Sequence, residues 1–286
     1  MSDFENRVLI TGADGFIGKS VCKMLEASGF SVIKLTNVRG GVTSAKHVFE
    51  FPKSKNVIHL AGKHYVPDSW DNPSDFYNVN VVGTQNVINY CLKHDATLTY
   101  ASTYLYGNPK FLPISENHPT DCVNPYALSK NFAEELIRFN QRHSNLRANI
   151  LRLFNVYGPF QKNNYLIPKL ISQARDNIKY TVHSLEPKRD YIFVDDVAKS
   201  IKVLLQSEKK GLVLNIGSGQ SYSVKEIVNT VQSVSGVHNC IQTTGLERMN
   251  EITNVIADNQ LAFRELGWRP EYDLEAGIKR IWSSVN

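Results

Sequence analysis

Apolar residues along this chain switch repeatedly between two spacings. Short runs rich in Val, Ile and Leu at Arg7–Thr11, Ser31–Thr36, Asn56–Ala61, Ala96–Ser102 and Asn149–Asn155 predict buried strands. Between them, Phe16–Ala27, Ser74–Leu92 and Tyr126–Gln141 carry the spacing of amphipathic helices. Strand and helix in alternation predict right-handed crossovers and a buried parallel sheet. Between Arg39 and Val57 only the run His47–Phe51 is available, so the second crossover is expected to be abbreviated. After about residue 160 the pattern changes: Pro168, Pro187 and Pro270 punctuate shorter elements, with helices predicted at Val194–Gln206, Val224–Val234 and Leu274–Trp282.

Composition narrows the function classes. The 286 residues are 42% hydrophobic and 21% charged, enough for a sizeable core without staples. The net charge of +5 is spread along the chain, which suits anionic ligands mildly and does not make the dense basic face of a nucleic-acid binder. No run approaches the roughly 18 apolar residues of a membrane span, and Met1–Asn6 is polar and leads straight into a strand, unlike a secretory leader. Cys22, Cys91, Cys122 and Cys240 have neither disulfide-framework nor zinc-ligand spacing, and His59, His64 and the other histidines have no ligand-like spacing, so no metal site is expected. The reading is a cytoplasmic protein with reduced, mostly buried thiols.

The segment Val8-Leu-Ile-Thr-Gly12-Ala-Asp14-Gly15-Phe16-Ile17-Gly18 is a strand, a glycine turn and a helix start. Gly12 permits the tight turn, Gly15 lets backbone approach a pyrophosphate, and Gly18 lets helix pack close on strand. The anion then rests on the N–H groups at the helix start. A dinucleotide site is the reading. After the second strand, NAD sites usually place a carboxylate on the adenosine ribose. Here the residues are Thr36-Asn37-Val38-Arg39, with no carboxylate and a guanidinium three positions on. NADP is therefore the expected cofactor, with NAD as the alternative.

Tyr126-Ala-Leu-Ser-Lys130 places a phenol and an ammonium on one helical face. A tyrosine with a pKa near 10 becomes a useful acid/base when a cation stabilises its phenolate. Asn124-Pro125 marks the helix start. The strand before it ends in Tyr100-Ala-Ser102-Thr103, where a hydroxyl can hold the same substrate oxygen.

On these motifs the sequence resembles the extended short-chain dehydrogenases/reductases, in the branch of nucleotide-sugar epimerases, dehydratases and reductases. The resemblance extends over Val57-Ile-His-Leu-Ala-Gly62, Asn80-Val-Val-Gly-Thr84, Leu105-Tyr-Gly107, Arg152-Leu-Phe-Asn155-Val-Tyr-Gly-Pro159, Arg189-Asp-Tyr-Ile-Phe-Val-Asp-Asp196 and Arg248-Met-Asn-Glu251. It implies an α/β fold, a Rossmann-type doubly wound parallel sheet over 1–160 to which later segments return, with a smaller C-terminal α/β substrate lobe over 161–286. It also implies roles. Ser102 matches the catalytic hydroxyl, Tyr126 the acid/base, and Lys130 the residue that lowers the tyrosine pKa and holds the nicotinamide ribose. Leu60, Ala61 and Gly62, with Asn80, line the cofactor crevice. Ser102, Thr103 and Asn155 face the substrate, Leu166 and Pro168 pack near its base, and Arg189 and Arg248 clamp its diphosphate. Family members commonly form homodimers through two helices of each subunit, here Ser74–Leu92 and Tyr126–Gln141.

Departures from the family pattern sort the chemistry. Sugar-nucleotide 4,6-dehydratases carry an Asp-Glu pair where this chain has Thr103 and Tyr104, so dehydration is not expected. The leading expectation is reduction of the 4-keto group of a nucleotide-diphosphate 6-deoxy sugar. The alternative is a nucleotide-sugar 4-epimerase with bound NAD. A catalytically silent binder is disfavoured by the intact Ser102, Tyr126 and Lys130, and a non-nucleotide ketone substrate by the two arginines.

Overall fold

The computed structural model describes residues 6–245 and 252–285. In chain order the first elements are β1 (Arg7–Thr11), α1 (Phe16–Ala27), β2 (Ser31–Leu35), α2 (Ala45–Phe49), β3 (Asn56–His59), α3 (Val66–Asp71) and α4 (Pro73–Tyr77). A turn of π-helix at Asn78–Val82 leads into α5 (Gly83–His94), then β4 (Thr97–Thr103), α6 (Pro125–His143), β5 (Ala148–Leu153) and β6 (Asn155–Tyr157). The chain continues with α7 (Leu166–Arg175), β7 (Tyr180–Val182), β8 (Lys188–Phe193), α8 (Val194–Ser207), β9 (Val213–Ile216) and β10 (Ser221–Ser223). It ends with α9 (Val224–Ser235), β11 (Ile241–Thr243), α10 (Gln260–Leu266) and α11 (Leu274–Val285).

Two units emerge, and they interleave in sequence. The first comprises Met1–Gly107, Pro119–Leu153 and Ala198–Leu214. Its sheet has the order β2-β1-β3-β4-β5-β9, with β1 to β5 paired in parallel. The chain leaves β1 to one side for β2 and returns to the other for β3, so the strand order reverses between β1 and β3. Ligands of doubly wound sheets bind at the carboxyl ends of strands at such a reversal. The strands are near-continuous apolar runs because both faces are covered: Val8, Leu9, Ile10, Val57, Ile58, Leu98 and Ile150 are at most 1% exposed. Leu9, Val57, Leu98 and Ile150 pack with Val87 and Ile88 of α5 and Ala133 and Ile137 of α6.

The second crossover is short, as the sequence suggested. It is a turn at Val38–Thr43 and the five-residue α2, capped by Ser44, whose hydroxyl accepts the His47 N–H at 3.3 Å. Asn86 donates to the carbonyls of Val42 and Thr43 at 3.0 and 3.2 Å and fastens this turn to α5.

The second unit comprises Asn108–His118, Phe154–Val197 and Asn215–Asn286. It holds a three-stranded sheet in the order β10-β8-β6 and the pair β11-β7. Its core gathers Ile167, Leu170 and Ile171 of α7, Ile227, Val228 and Val231 of α9, and Ile278 and Ile281 of α11. Cys22 and Cys91 are buried, whereas Cys122 is half-buried and Cys240 exposed, so the thiols are less enclosed than the sequence reading held. Among the described residues, no helix is long and apolar enough to cross a membrane, and no group of His, Cys, Asp and Glu could hold a metal ion.

Candidate active site

The glycine turn joins β1 to α1 at the strand-order reversal. Gly12 takes φ +68°, and a Cβ there would meet the Ala61 nitrogen at 2.8 Å, so only glycine lets the ends of β1 and β3 approach this closely. A Cβ on Gly18 would overlap the Gly12 carbonyl oxygen, which fixes the close packing of α1 on the turn. Gly15 is the N-cap of α1 and no side chain caps the first turn, leaving its amides to an anion. Asp14 and Gly15 are exposed, Phe16 and Ile17 half-buried, and Leu60, Ala61 and Gly62 form a half-buried wall opposite. This cradle fits a dinucleotide pyrophosphate.

The ribose end has no acidic side chain at the tip of β2. Thr36 is half-buried and Asn37 exposed. Arg39 takes φ +55° in the turn, and its guanidinium stands 3.8 Å from Glu50 with both side chains open to solvent. Such an exposed pair is weak, and a phosphate could draw the guanidinium away.

The Asn124 side chain accepts the Ala127 N–H at 2.8 Å and starts α6, with Pro125 at its first position. In this first turn, the ring of Tyr126 stands edge-on to Phe76, centroids 6.3 Å apart. Enclosure pushes the Tyr126 phenol up to about 12, against the opposing effect of a hydrogen bond with Thr103. Thr103, placed by the sequence reading in the substrate pocket, is thus the hydroxyl next to the tyrosine. Ser102 is 4% exposed, and its buried hydroxyl oxygen has no partner. An orphaned buried hydroxyl is what a site awaiting a substrate oxygen would present.

Lys130 is buried, donates to the Ala101 carbonyl at 2.5 Å and lies 4.2 Å from the Tyr100 ring centroid. Burial lowers its pKa to about 7, opposed by the charge of Glu134. Lys130 stands one turn after Tyr126 on α6, and burial raises the phenol's pKa while it lowers the ammonium's. Burial first, and then the charge of Glu134, hold the neighbouring Tyr100 phenol well above its ordinary range.

Two further features were absent from the sequence reading. Glu134 is fully buried and accepts from Arg152 at 3.1 and 2.8 Å and from Arg138 at 2.9 Å; Arg152 also donates to the Tyr106 hydroxyl at 2.9 Å. The signal was present as Tyr126, Lys130, Glu134 and Arg138, an unbroken i,i+4 series on one face. Asn80, expected at the cofactor, gives its side chain to protein. It accepts the Lys63 N–H at 2.8 Å and donates to the Lys63 carbonyl at 3.0 Å and Ser129 at 2.8 Å. Asn80 therefore braces the Lys63 end of the crevice wall.

In the second unit, Asn155 donates to the Asp190 carbonyl at 3.0 Å. Arg189 is half-buried and donates to the carbonyls of Lys188 and Ile252 at 2.9 and 2.5 Å. Leu166 and Pro168 lie in the first turn of α7, where proline costs no hydrogen bond; Pro168 is buried, so it does not end an element as the sequence suggested. Arg248 lies outside the described residues. Asp190, not singled out earlier, accepts from Ser218, Gly219 and Ala257 at 2.7 to 3.0 Å, and burial still raises its pKa to about 6.

A cavity of about 340 Å³, lined by Asn56, Thr97, Arg147 and Asn149 among others, opens at the amino ends of β3, β4 and β5. It lies at the opposite end of β4 from Ser102 and holds none of the predicted site residues.

Fold and site together define a short-chain dehydrogenase/reductase of the extended kind. The chain belongs to the NAD dependent epimerase/dehydratase family, whose model matches residues 8–217. It is 31% identical to a putative UDP-glucose 4-epimerase of Methanocaldococcus jannaschii, over 98% of this chain and 99% of that protein. Its fold superposes with TM-score 0.90 on the UDP-glucose 4-epimerase of Brucella ovis solved with NAD, at 27% identity over 98% of each chain. It superposes equally, at TM-score 0.90, on RMD of Pseudomonas aeruginosa solved with NADPH, at 28% identity over 97% of this chain and 98% of that one.

Proposed function

We propose that this enzyme carries out oxidoreduction at C4 of a nucleoside-diphosphate sugar, and that its net reaction is reduction of a 4-keto-6-deoxy sugar with NADPH. The observation that carries the reading is the grouping of the Tyr126 phenol with Thr103, the orphaned Ser102 hydroxyl and Lys130. The bound dinucleotide supplies the hydride. Gly12, Gly15, Gly18, Leu60, Ala61 and Gly62 would hold it, with Thr36, Asn37 and Arg39 around the adenosine ribose and Lys130 at the nicotinamide ribose. Ser102 and Thr103 orient the O4 carbonyl oxygen, and Tyr126 donates its proton to that oxygen as C4 is reduced. Asn155, Leu166, Pro168, Arg189 and Arg248 are proposed to hold the sugar nucleotide, the two arginines at its diphosphate.

A 4-epimerase with retained NAD is the second reading, supported by the relatives called UDP-glucose 4-epimerases. The test is incubation with NADPH carrying deuterium at the transferred position and a panel of 4-keto-6-deoxy sugar nucleotides, followed by mass spectrometry. Stoichiometric NADPH consumption with one deuterium in the product supports the reductase. Interconversion of UDP-glucose and UDP-galactose without added cofactor establishes the epimerase instead.

A homodimer is proposed as well. Phe132 and Phe139 on α6 are 45% and 53% exposed and line an open apolar groove with Val81 and Leu136.

A further inference from the structure

His59, which has no ligand-like spacing in the sequence, joins the glycine turn to the helix of Tyr126. His59 ends β3 and is 1% exposed. Its Nδ1 lies 2.7 Å from the hydroxyl of Thr11, the last residue of β1, and its Nε2 lies 3.0 Å from the hydroxyl of Thr84 on α5. Every proton in this contact has one consistent place. The Thr11 hydroxyl accepts the Ala61 N–H at 3.1 Å and, with two lone pairs and one hydrogen, can meet His59 Nδ1 in either sense, so the Thr84 end decides. The Thr84 hydroxyl donates to the Asn80 carbonyl at 2.6 Å, so it accepts from His59 Nε2–H. His59 is thereby fixed as the neutral Nε2–H tautomer, consistent with burial and the Lys130 charge holding its pKa down to about 3.

The chain of bonds continues. Asn80 donates from Nδ2 to the Ser129 hydroxyl at 2.8 Å, and Ser129 donates to the carbonyl of Tyr126 at 2.7 Å. The Asn80 amide orientation is set by the Lys63 N–H, which can only meet its oxygen. Asn80 sits in the turn of π-helix at Asn78–Val82, where the ladder widens, and its Oδ1 is 3.0 Å from where a Cβ on Gly62 would stand.

We propose that His59 is a positioning residue: the relay Thr11–His59–Thr84–Asn80–Ser129 sets the spacing between the phosphate turn, the Ala61–Gly62 wall and the first turn of α6, and so sets dinucleotide affinity and the placement of Tyr126. The relay rests on the dinucleotide reading. Each hydroxyl uses its hydrogen once, so loss of the imidazole leaves the Thr11 hydrogen without an acceptor and takes a donor from the Thr84 oxygen. A glutamine can reproduce both contacts, its carbonyl accepting from Thr11 and its amide donating to Thr84. Leucine reproduces neither.

The experiment compares wild type, His59→Leu and His59→Gln, measuring Kd for NADPH and NADH by calorimetry, turnover, and thermal midpoint. His59→Leu should weaken the dinucleotide about tenfold, the factor one unpaired buried hydrogen bond brings, and lower turnover. His59→Gln should stay within about threefold of wild type. A lowered thermal midpoint with unchanged Kd and turnover in His59→Leu would reduce the histidine to packing and overturn the proposal. Equal damage in His59→Gln would overturn it too. Where His59→Leu does not fold, Thr84→Val against Thr84→Ser asks the same question with the same expected split. In the wild type, ¹⁵N spectra of the imidazole should show Nε2–H, unchanged across the neutral range; a titrating ring or the Nδ1–H form would refute the relay. Failure of the wild type to bind either dinucleotide would overturn the cofactor reading itself, a different result from intact binding that ignores His59.

Discussion

Acid should unfold this protein partly through His59, and the size of that effect can be worked out. The unfolded chain takes up a proton at this imidazole near the ordinary value of 6.5, whereas the folded protein refuses it until about pH 3, through burial first and the Lys130 charge second. A folded-state pKa below the unfolded one gives stability that is complete above 6.5 and lost as pH falls through this window. The loss is about 1.4 kcal/mol per pH unit, or roughly 5 kcal/mol across it, a large share of the typical 5–15 kcal/mol of a folded domain. The perturbation is His59→Gln, which keeps both hydrogen bonds and cannot titrate. Carboxylates contribute equally to both proteins and cancel in the difference. Urea unfolding should show wild type losing roughly 2 kcal/mol more than His59→Gln between about pH 8 and about pH 5. Parallel stability curves for the two proteins would show that His59 is protonated as easily folded as unfolded, and would refute the buried neutral ring.

The other expectations are more local. Gly18→Ala forces a Cβ onto the Gly12 carbonyl oxygen, so it should cost about 1–3 kcal/mol of stability and, in calorimetry, weaken any dinucleotide severely. Arg39→Ala should weaken NADPH by about 1–2 kcal/mol and leave NADH unchanged, while Thr36→Asp should turn the preference toward NADH; equal affinities of wild type for both cofactors would contradict this. Phe132→Glu with Phe139→Glu should convert a dimer into a species of about 32 kDa in sedimentation, and a wild type already at that mass would exclude the dimer. Asp190→Asn turns an amide NH2 toward backbone N–H donors and should cost stability, and it removes a carboxyl whose folded pKa, about 6, lies above its unfolded 3.8. Stability that wild type gains as pH falls from 6 toward 3.8 should therefore be missing in this variant, as chemical unfolding can show.

What the sequence made legible was whatever is decided locally. β1 at Arg7–Thr11 and α1 at Phe16–Ala27 fall where they were expected, because a strand, a glycine turn and an amphipathic face are all written within about a dozen residues. The helix expected over Ser74–Leu92 runs unbroken from Pro73 to His94 through α4, the π-turn and α5, and only the widening at Asn78–Val82 is invisible to periodicity. Helix α7 was hidden by Pro168, read as punctuation although proline is tolerated in a first turn. Strands β6, β7, β10 and β11 are only three residues each, and their pairing depends on partners far away in sequence. The site divides in the same way. Tyr126 and Lys130 declare themselves by spacing, but the His59 relay joins residues 48 and 25 positions apart, and nothing short of the folded sheet brings them together.

The central claim is that Tyr126 supplies the proton while hydride passes to the sugar. It is tested most directly by following NADPH absorbance in single turnovers of wild type and Tyr126→Phe on a confirmed 4-keto sugar nucleotide, with cofactor affinity measured in parallel. The variant should be slower by about 10²–10⁴-fold, the usual contribution of a positioned general acid, with the dinucleotide bound as tightly as before. A Tyr126→Phe enzyme that consumes NADPH at nearly the wild-type rate would contradict the account.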